Sequence, residues 1–396
     1  MRNRVLVCLA CLSLLALSAT SCSPPPQGYS GVMSHDDMLY LGATDGRIRA
    51  VNPGARSEGL PFPSSDGEWS FAITVPSKGF LSCGDSSTPA TIYSTPVVVD
   101  GRVCVGIHDG KLMMLAPSAR IDELHFPHRK SGEWMYPDGD DVIGAVVGNP
   151  VVVGDTVYVC SSDGAVYALD ASSGDQEWRS ELSVEKLWTT PVVQGEAIYV
   201  STFDGHIYAL SVDDGSLLPW SFEAEVGFAS SPLLYGDTIL VGSFDDNLYA
   251  VRIGDEKPLW RFQGGNWFWA LPVVSDGVVY AVCLDGKVYA LDAESGRVKW
   301  DEPFDTGSPI AASPVAVDDS LVVAAQSGDV YVIDMQTGVG ARIENPEGDE
   351  KPSIDGTTVL ASLCAQDGIV YIRAQNNCLY PIDVAGRERK ARISLD

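Results

Sequence analysis

Short apolar runs separated by turn residues recur along the whole chain. Residues 157–160 and 165–169 are rich in β-branched and aromatic residues, which is typical of short strands. Between them stands Asp163-Gly164, a pair favoured where the backbone adopts positive φ. A second turn at 170–174 leads to a further run that holds Trp178. No helical periodicity of any length follows the N-terminal segment, so the pattern predicts an all-β fold.

The same phrase of strands and turns is repeated. VYVCSSDGAVYALDASSGDQEW at 157–178 returns as VYAVCLDGKVYALDAESGRVKW at 279–300, and eight copies are found in all. The second residues of their first turns are Gly46, Gly110, Gly164, Gly205, Asp246, Gly286, Gly328 and Asn377. The basic period is about 41 residues, and the two longest intervals indicate insertions at about 54–91 and 116–143.

A period of this length with four strands is typical of a propeller blade. One blade leaves both of its faces uncovered, so neighbours must stack until the ring closes. The sequence therefore predicts one domain over 31–396, an eight-bladed β-propeller of four-stranded antiparallel blades.

VYALDAESGRVKW at 288–300 resembles the repeat of pyrroloquinoline-quinone-type β-propellers, which include the eight-bladed quinoprotein dehydrogenases. In that family the last tryptophan of the repeat docks one blade onto the next. The residues at this position are Trp178, Trp220, Trp260 and Trp300, with Trp69 and Trp134 matching after the insertions. As a lipid-anchored eight-bladed propeller, the chain also resembles the lipoprotein subunits of the outer-membrane β-barrel assembly machinery. That resemblance implies a non-catalytic scaffold that binds an envelope protein.

The first residues read as a targeting signal. Arg2 and Arg4 precede an apolar core at 5–17, and small residues lead to Cys22. This arrangement resembles the bacterial lipoprotein signal, which implies removal of residues 1–21 and lipid attachment to Cys22, with 22–30 as a Pro-rich tether. The alternative is an ordinary secretory signal cut near Ala19. The first interpretation predicts a protein on the extracytoplasmic side of the envelope, held at the outer membrane or cell surface through its lipid alone.

The excess of acidic residues excludes some classes of binding partner. Hydrophobic residues make up 45% of the 396 residues, which excludes a wholly disordered chain. Acidic residues number 53 and basic residues 26, so the formal net charge is −27. Such a surface repels nucleic acid and anionic lipid headgroups. We expect a monomeric propeller with an envelope protein as partner and no nucleic acid.

An enzyme is the first alternative, because of the quinoprotein resemblance. Those enzymes carry adjacent cysteines beside the quinone, a calcium ion and an aspartate base. This chain has no Cys-Cys pair, and it is shorter than those enzymes, whose long inserted segments complete the cofactor pocket. We therefore predict no catalytic residue and no cofactor. A quinone-dependent dehydrogenase or its remnant stays open, and a surface adhesion or glycan-binding module is the second alternative.

Metal binding is considered for two groups of residues. The turn aspartates could form a calcium ring, but aspartate before glycine is ordinary turn chemistry, and this interpretation is favoured. They are Asp45, Asp109, Asp163, Asp204, Asp245 and Asp285. His125 and His128 flank Pro127, which forbids a regular helix face, so we favour a local basic patch over a metal site.

The cysteines leave disulfide pairing open. Export permits bonds between Cys364 and Cys378, and between Cys83 and Cys104. Cys160 and Cys283 are predicted to be buried thiols, since they lie near strand ends in distant blades.

The basic segment 386–393 is predicted to form the last outer strand. Its charges protect an exposed edge or, alternatively, dock an acidic partner.

Five further aromatic residues are the candidate contact residues. Four of them stand three or four positions before the proline of an inner strand, as Trp188 does before Pro191. In a propeller, this loop lies at the mouth of the central channel. The set is Tyr93, Trp188, Phe228, Trp267 and Trp269. Either these rings plug the channel and pack between blades, or they form a recognition funnel for a peptide strand, a glycan or another ring-bearing ligand.

Overall fold

Eight four-stranded antiparallel sheets follow one another along the chain in a computed structural model. The model describes residues 30–56, 62–63, 67–76, 87–182, 186–346, 348, 351–355 and 358–395. Each sheet is built from four consecutive strands in simple order, to which the eighth adds a short fifth strand, so each is one blade. The predicted fold class and the four-stranded blades are therefore confirmed.

The strands of blades 1 to 4 are β1 (Val32–His35), β2 (Met38–Gly42), β3 (Arg47–Val51), β4 (Trp69–Ala72), β7 (Val97–Val99), β8 (Arg102–Ile107), β9 (Lys111–Leu115), β10 (Trp134–Tyr136), β11 (Val151–Val153), β12 (Thr156–Cys160), β13 (Ala165–Asp170), β14 (Gln176–Glu181), β15 (Val192–Gln194), β16 (Ala197–Ser201), β17 (His206–Ser211) and β18 (Leu217–Glu223). A small hairpin of β5 (Thr74–Pro76) and β6 (Ser87–Pro89) lies between blades 1 and 2.

The strands of blades 5 to 8 are β19 (Leu233–Tyr235), β20 (Thr238–Gly242), β21 (Asn247–Arg252), β22 (Trp260–Gln263), β23 (Val273–Ser275), β24 (Val278–Val282), β25 (Lys287–Asp292), β26 (Phe304–Asp305), β27 (Val315–Val317), β28 (Ser320–Ala324), β29 (Val330–Asp334), β30 (Gly340–Arg342), β31 (Cys364–Gln366), β32 (Ile369–Arg373), β33 (Cys378–Asp383) and β34 (Glu388–Arg389). A last strand, β35 (Ile393–Ser394), also pairs with β33. The helical segments are α1 (Pro117–Ile121) and two 3-10 turns, Pro53–Ala55 and Arg129–Ser131. None of the helical segments in the described residues has the length and hydrophobicity of a membrane-spanning helix.

The hydrophobic core lies between the blades, and strand alternation explains why. On β12, Val157 and Val159 pack in the cluster shared with blade 2, while Tyr158 and Cys160 pack in the cluster shared with blade 4. Both faces of a middle strand are thus apolar, which gives the continuous hydrophobic runs in the sequence. Each of eight such clusters joins two neighbouring blades, and the eighth joins blade 8 to blade 1. The ring therefore closes by packing of its two end blades.

The first turn of every repeat has the backbone conformation that its sequence predicts. All eight second residues have positive φ, including the two that are not glycine, Asp246 at 68° and Asn377 at 58°. Aspartate and asparagine tolerate this region better than other residues with a side chain. The turn prediction is confirmed in all eight blades.

The tryptophans at the end of the repeat dock successive blades. In five of them, Nε1 donates a hydrogen bond to a backbone carbonyl of the next blade at 2.9–3.1 Å: Trp134 to Ala171, Trp178 to Val212, Trp220 to Asp255, Trp260 to Ala293 and Trp300 to Met335. The rings of four also lie against a turn glycine of the next blade. A Cβ on Gly174 would come within 2.6 Å of the Trp134 ring, so that turn accepts no side chain.

Trp69 occupies the same position but makes no such bond. Its side chain is 2% exposed, and its Nε1 has no hydrogen-bond partner within the described residues. Counted from the turn glycine, the residue of the next blade that corresponds to Ala171 is Pro117, the first residue of α1. The extra helix in blade 2 thus begins at the residue whose carbonyl accepts from a tryptophan in other blades.

The predicted insertions are each divided by an outer strand, since β4 lies within 54–91 and β10 within 116–143. In blade 2 the connection before β10 carries a buried ion pair. Arg120 and Glu133 approach to 2.8 Å, with side chains 4% and 0% exposed. The guanidinium lies over Phe71 of blade 1 at 4.7 Å and over Phe126 at 5.6 Å. The Glu133 carboxylate also accepts from the Ala116 N–H at 3.0 Å. We call this arrangement the Arg–Glu clamp.

Blade 1 contains a second Arg–Glu clamp. Arg56 and Glu68 approach to 2.9 Å, with side chains 5% and 0% exposed, and Arg56 lies over Phe62 at 5.0 Å. Glu68 accepts from the Asn52 N–H at 3.0 Å, as Glu133 does from the matching residue. Both clamps share the order Ala-Arg, Phe-Pro and Gly-Glu-Trp in the sequence. Phe62 packs on the cluster between blades 8 and 1, so the clamps hold interfaces at which the tryptophan dock is lacking or incomplete.

The basic C-terminal segment is the outer edge of blade 8, in the two short strands β34 and β35. Arg389 and Arg392 both bind Asp355, at 2.9 and 3.1 Å, and Lys390 binds Asp383 at 3.0 Å. These contacts favour the edge-strand interpretation over a docking patch, because three of the four basic side chains of the segment are already paired within the chain.

Candidate interaction surface

The turns between the second and third strands lie on the same face as the loops that connect blades. Backbone hydrogen bonds join the two sets, as from the Phe244 N–H to the Gly227 carbonyl and from the Leu284 N–H to the Trp267 carbonyl, both at 3.0 Å. Turn and loop residues of adjacent blades therefore form one continuous surface.

The turn aspartates perform turn chemistry. In four blades the carboxylate accepts from the backbone N–H two residues on, at 2.9–3.2 Å: Asp45 from Arg47, Asp163 from Ala165, Asp245 from Asn247 and Asp285 from Lys287. Among the residues that the structure describes, no group of three His, Cys, Asp or Glu side chains could hold a metal ion. The structure thus supports the turn interpretation of these aspartates.

The second oxygen of three of these carboxylates binds a tyrosine of the following strand. Tyr167, Tyr249 and Tyr289 donate to Asp163, Asp245 and Asp285 at 2.5–2.6 Å. Burial, together with the hydrogen bond to the carboxylate, raises the pKa of Tyr167 and of Tyr249 to about 12. The bond fixes the turn to the strand beneath it, so this face of the ring is held in one shape.

Four aromatic rings form a continuous row across blades 4 to 6. Successive ring centroids are 5.6 Å apart for Trp188 and Phe203, 5.5 Å for Phe203 and Phe244, and 5.0 Å for Phe244 and Trp267. Each contact is edge-on, with interplanar angles of 74° to 82°. All four side chains are partly exposed. We call these four residues the aromatic row.

Gly227 sets the spacing at the centre of the aromatic row. A Cβ at this position would lie 1.8 Å from the Phe203 carbonyl oxygen, a distance that no real Cβ contact reaches. The Phe244 N–H is bonded to the Gly227 carbonyl on the other side. The loop can therefore pass between the turns of blades 4 and 5 only because this residue has no side chain.

The five predicted contact residues divide into two groups. Trp188 and Trp267 are the ends of the aromatic row, and Trp269 is partly exposed but makes no ring contact within the described residues. Phe228 is 0% exposed and packs between Phe222 and Tyr249. Its prediction as a contact residue is wrong, because its loop position directs the ring into the core between blades.

Tyr93 also lies inside. It is 8% exposed, and its ring packs 5.1 Å from that of His108. For this residue, the alternative of packing between blades is the correct one. Phe203 and Phe244, which both precede the turn aspartate in the repeated phrase, are not among the predicted contact residues. Aligning the eight phrases would have found them, because only these two blades have an aromatic side chain without a polar atom at that position.

The remaining predicted residues lie apart from this surface. Cys160 and Cys283 are buried thiols, as predicted, and burial raises the pKa of each to about 12. Cys364 and Cys378 form no disulfide, because their strands β31 and β33 are separated by β32. Cys104 is a buried thiol. Cys22, Cys83, the signal segment and most of the tether lie outside the described residues.

The histidine pair in blade 2 does not converge on one point. His128 Nδ1 lies 2.7 Å from the Ser131 hydroxyl, and the His128 N–H donates to Glu133. His125 is exposed to solvent. Nearby Arg129 forms an exposed ion pair with Asp138 at 3.0 Å. This is a polar surface segment in which one histidine serves the Arg–Glu clamp.

Comparison with solved structures places the fold among known propellers. The crystal structure of BamB from Moraxella catarrhalis matches with a TM-score of 0.58 and 19% identity, covering 76% of this chain and 85% of that one. The computationally designed protein Ika8 matches with a TM-score of 0.62 and 14% identity, covering 88% of this chain and 97% of that one. At these identities the likeness concerns the fold alone. No curated protein matches the chain by sequence.

The sequence itself carries the family. A family model described as outer membrane protein assembly factor BamB matches residues 132–255 and 218–394, which together exceed half of the chain. The matched residues include blades 3 to 8 and all five tryptophans that donate a hydrogen bond to the next blade. This protein therefore belongs to the BamB-like family of pyrroloquinoline-quinone-type repeat propellers.

Proposed function

We propose that this protein is a non-catalytic, lipid-anchored scaffold of the cell envelope that takes part in outer-membrane protein assembly. The observation that carries the proposal is the family match over residues 132–394, which include blades 3 to 8 of the eight-bladed ring. The name of the family model concerns assembly of outer-membrane proteins, and a closed ring whose turns are fixed by hydrogen bonds is suited to holding a partner.

The aromatic row is the contact surface in this proposal. Interfaces are enriched in tryptophan and phenylalanine, because large rigid rings bury much area at little entropic cost. The backbone of Phe203 and of Phe244 packs against Gly227, and each ring contacts two other rings of the row, so the rings are already in place before binding. Partner binding therefore requires little reordering of this face.

Crosslinking in the native envelope tests the contact surface. We expect the wild-type chain to recover a β-barrel protein or a component of its assembly machinery, and the Phe203→Ala/Phe244→Ala variant to lose it. Tyr235→Ala is the matched control, because Tyr235 is an exposed ring at the end of β19, outside the aromatic row. Recovery of wall polymer alone would instead support the adhesion alternative. Equal recovery by the wild type and the double variant would refute the aromatic row as the contact surface.

The lipid anchor and the absence of catalysis need separate tests. A Cys22→Ser variant should leave the membrane fraction and lose incorporation of a labelled fatty acid. If the variant stays in the membrane fraction, the proposed anchor is wrong. Addition of pyrroloquinoline quinone and calcium should change neither the absorbance spectrum nor the melting temperature. A stoichiometric spectral change would revive the dehydrogenase alternative.

A further inference from the structure

The described chain begins on the face of the ring that carries the aromatic row. We call this face, formed by the turns between second and third strands and by the connecting loops, the turn face. Ser30 is the first described residue, and its hydroxyl accepts from the Gly42 N–H at the end of β2, at 3.1 Å. Ser94 and Ser230 accept in the same way from the equivalent residues of blades 2 and 5, at 2.9 and 2.8 Å. Ser30 therefore lies where a connecting loop enters an inner strand.

A belt of hydrogen bonds joins this entry point to those of the next blades. The Gly31 N–H donates to the Thr95 hydroxyl at 3.2 Å, and the Thr95 N–H donates to the Asn149 amide oxygen at 2.7 Å. The Asn149 N–H donates in turn to the Thr190 hydroxyl at 2.9 Å. Trp188, one end of the aromatic row, stands two residues before Thr190. The start of the described chain and the aromatic row thus share the turn face.

The proposed lipid is close to this face along the chain. Cys22 precedes Ser30 by eight residues. Even when fully extended, eight residues span at most about 29 Å. If Cys22 carries the anchor, the turn face at Ser30 is therefore held within about 29 Å of the membrane surface.

The opposite face of the ring is too far from Ser30 to be the one directed at the membrane. The four strands of a blade, about 4.8 Å apart, extend about 14 Å outward from the inner strand. The middle strands have five or six residues, so the ring is about 20 Å high along them. A tether that reached below the opposite face would have to cover both distances, which together exceed its span. The anchor therefore holds the turn face toward the membrane.

We propose that the turn face is directed at the membrane and that the aromatic row contacts the extramembrane segment of an integral membrane protein. The inference rests on the lipid anchor of the proposed function, and it adds where the contact takes place. A partner in the same membrane is confined to the layer within reach of the tether, so its effective concentration at the row is high. A shallow surface of four partly exposed rings can therefore bind such a partner.

The charge of the chain favours a protein over the lipid surface as the occupant. The formal net charge is −27, and the turn aspartates lie on the same face as the aromatic row. Such a surface repels anionic lipid headgroups. A protein segment can instead bury the rings against its own apolar side chains.

Energy transfer to labelled lipid measures which face is near the membrane. The lipidated full-length chain is reconstituted into phosphatidylcholine vesicles that contain an acceptor lipid, and a donor dye is attached to a bioorthogonal amino acid in place of Val226 or Tyr235. These residues are 40% and 41% exposed. Val226 lies against the turn of blade 4, because a Cβ on Gly205 would be 3.1 Å from its carbonyl oxygen, and Tyr235 lies at the far end of β19. We expect about twofold more transfer from position 226, which is about 20 Å nearer the membrane.

A longer tether is the matched control. Inserting about 20 Gly and Ser residues after Gly28 raises its span to about 100 Å, so transfer from the two positions should become equal. Equal transfer on the native tether would overturn the proposal, and so would a difference that persists on the longer one. If the Cys22→Ser chain stays in the membrane fraction, the proposed anchor itself is wrong. If that chain is released but the wild type shows equal transfer, the anchor stands and only this inference fails.

Photocrosslinking in the native envelope identifies the kind of partner. A benzophenone amino acid at position 226 should capture a protein that only detergent extracts from the membrane, and one at position 235 should not. The Phe203→Ala/Phe244→Ala variant, shown to be folded by circular dichroism, should reduce capture at position 226 about tenfold. Capture of a protein that washes off without detergent would contradict the proposal. Binding of the Cys22→Ser chain to the vesicles through the aromatic row would also contradict it, because lipid would then be the occupant.

Discussion

Two tryptophans at equivalent positions should respond in opposite ways to the loss of their N–H group. Trp134 and Trp69 are 1% and 2% exposed, and both lie where the outer strand meets the next blade. Trp134 donates to the Ala171 carbonyl at 3.0 Å, while the Trp69 Nε1 has no partner within the described residues. Replacement by phenylalanine keeps an aromatic ring but removes the donor in both.

The expected difference follows from hydrogen bonding, because the packing loss is similar. The smaller ring costs about 2 kcal/mol of unfolding free energy at either buried site. Trp134→Phe also leaves the Ala171 carbonyl without its donor, at a further cost of about 1 kcal/mol. Trp69→Phe removes a buried unpaired N–H, which returns about 1 kcal/mol. We therefore expect losses of about 3 and about 1 kcal/mol, a difference of about 2 kcal/mol.

Equilibrium unfolding in urea, followed by far-ultraviolet circular dichroism, measures both losses without depending on tryptophan fluorescence. The two variants must show the same dependence on urea as the wild type, so that the free energies are comparable. Trp220→Phe is a useful third variant, since its ring is only partly buried and should give a smaller loss. If Trp69→Phe is as destabilising as Trp134→Phe, the explanation of blade docking by this hydrogen bond is refuted.

Three further predictions concern buried charge, tyrosine and thiols. Glu133→Gln leaves Arg120 buried without its countercharge, and we expect it to lower the free energy of unfolding by about 3 kcal/mol, measured by urea unfolding. A loss under about 1 kcal/mol would contradict a structural role for the Arg–Glu clamp. The pKa of Tyr249 is raised from an ordinary value near 10 to about 12 in the folded protein, so its contribution to stability is complete below pH 10 and is lost as pH rises through 12. The ultraviolet tyrosinate titration of the wild type, after subtraction of that of Tyr249→Phe, should have its midpoint near pH 12. A midpoint at pH 10 would exclude the hydrogen bond to Asp245. Cys160 should resist alkylation until the chain unfolds, and mass spectrometry measures the extent of alkylation. Rapid alkylation of the native protein would show that its blade opens.

The fold was predictable because the same sequence features recur in most of the blades. A turn that needs positive φ, an apolar middle strand and a docking tryptophan recur at a fixed period, and each recurrence supports the others. The two Arg–Glu clamps were not predicted, although their sequences match. An isolated arginine such as Arg120 gives no sign that it is buried, and only the packing against Phe71 reveals its role.

The sequence was less informative about which of the candidate contact residues are exposed. Loop position relative to the inner strand does not determine which way a ring points. Phe228 and Trp267 both lie in such loops, yet one is fully buried and the other partly exposed. Their neighbours explain the difference: Phe228 is directed to Phe222 and Tyr249 between blades, whereas in the next loop Phe268 takes that core position and Trp267 is left outside.

The position before the turn aspartate is the more informative one, because the fold does not require any particular side chain there. It is threonine, histidine, serine, leucine or glutamine in six blades and phenylalanine only at Phe203 and Phe244. The turn aspartate, by contrast, is needed for its backbone hydrogen bond, so its presence carries little information about function. The fold leaves this position unconstrained, yet two adjacent blades have an exposed phenylalanine there. Folding alone therefore does not explain why these two residues are aromatic. For that reason, more than for the number of aromatic residues, we propose that the face of blades 4 to 6 meets a partner.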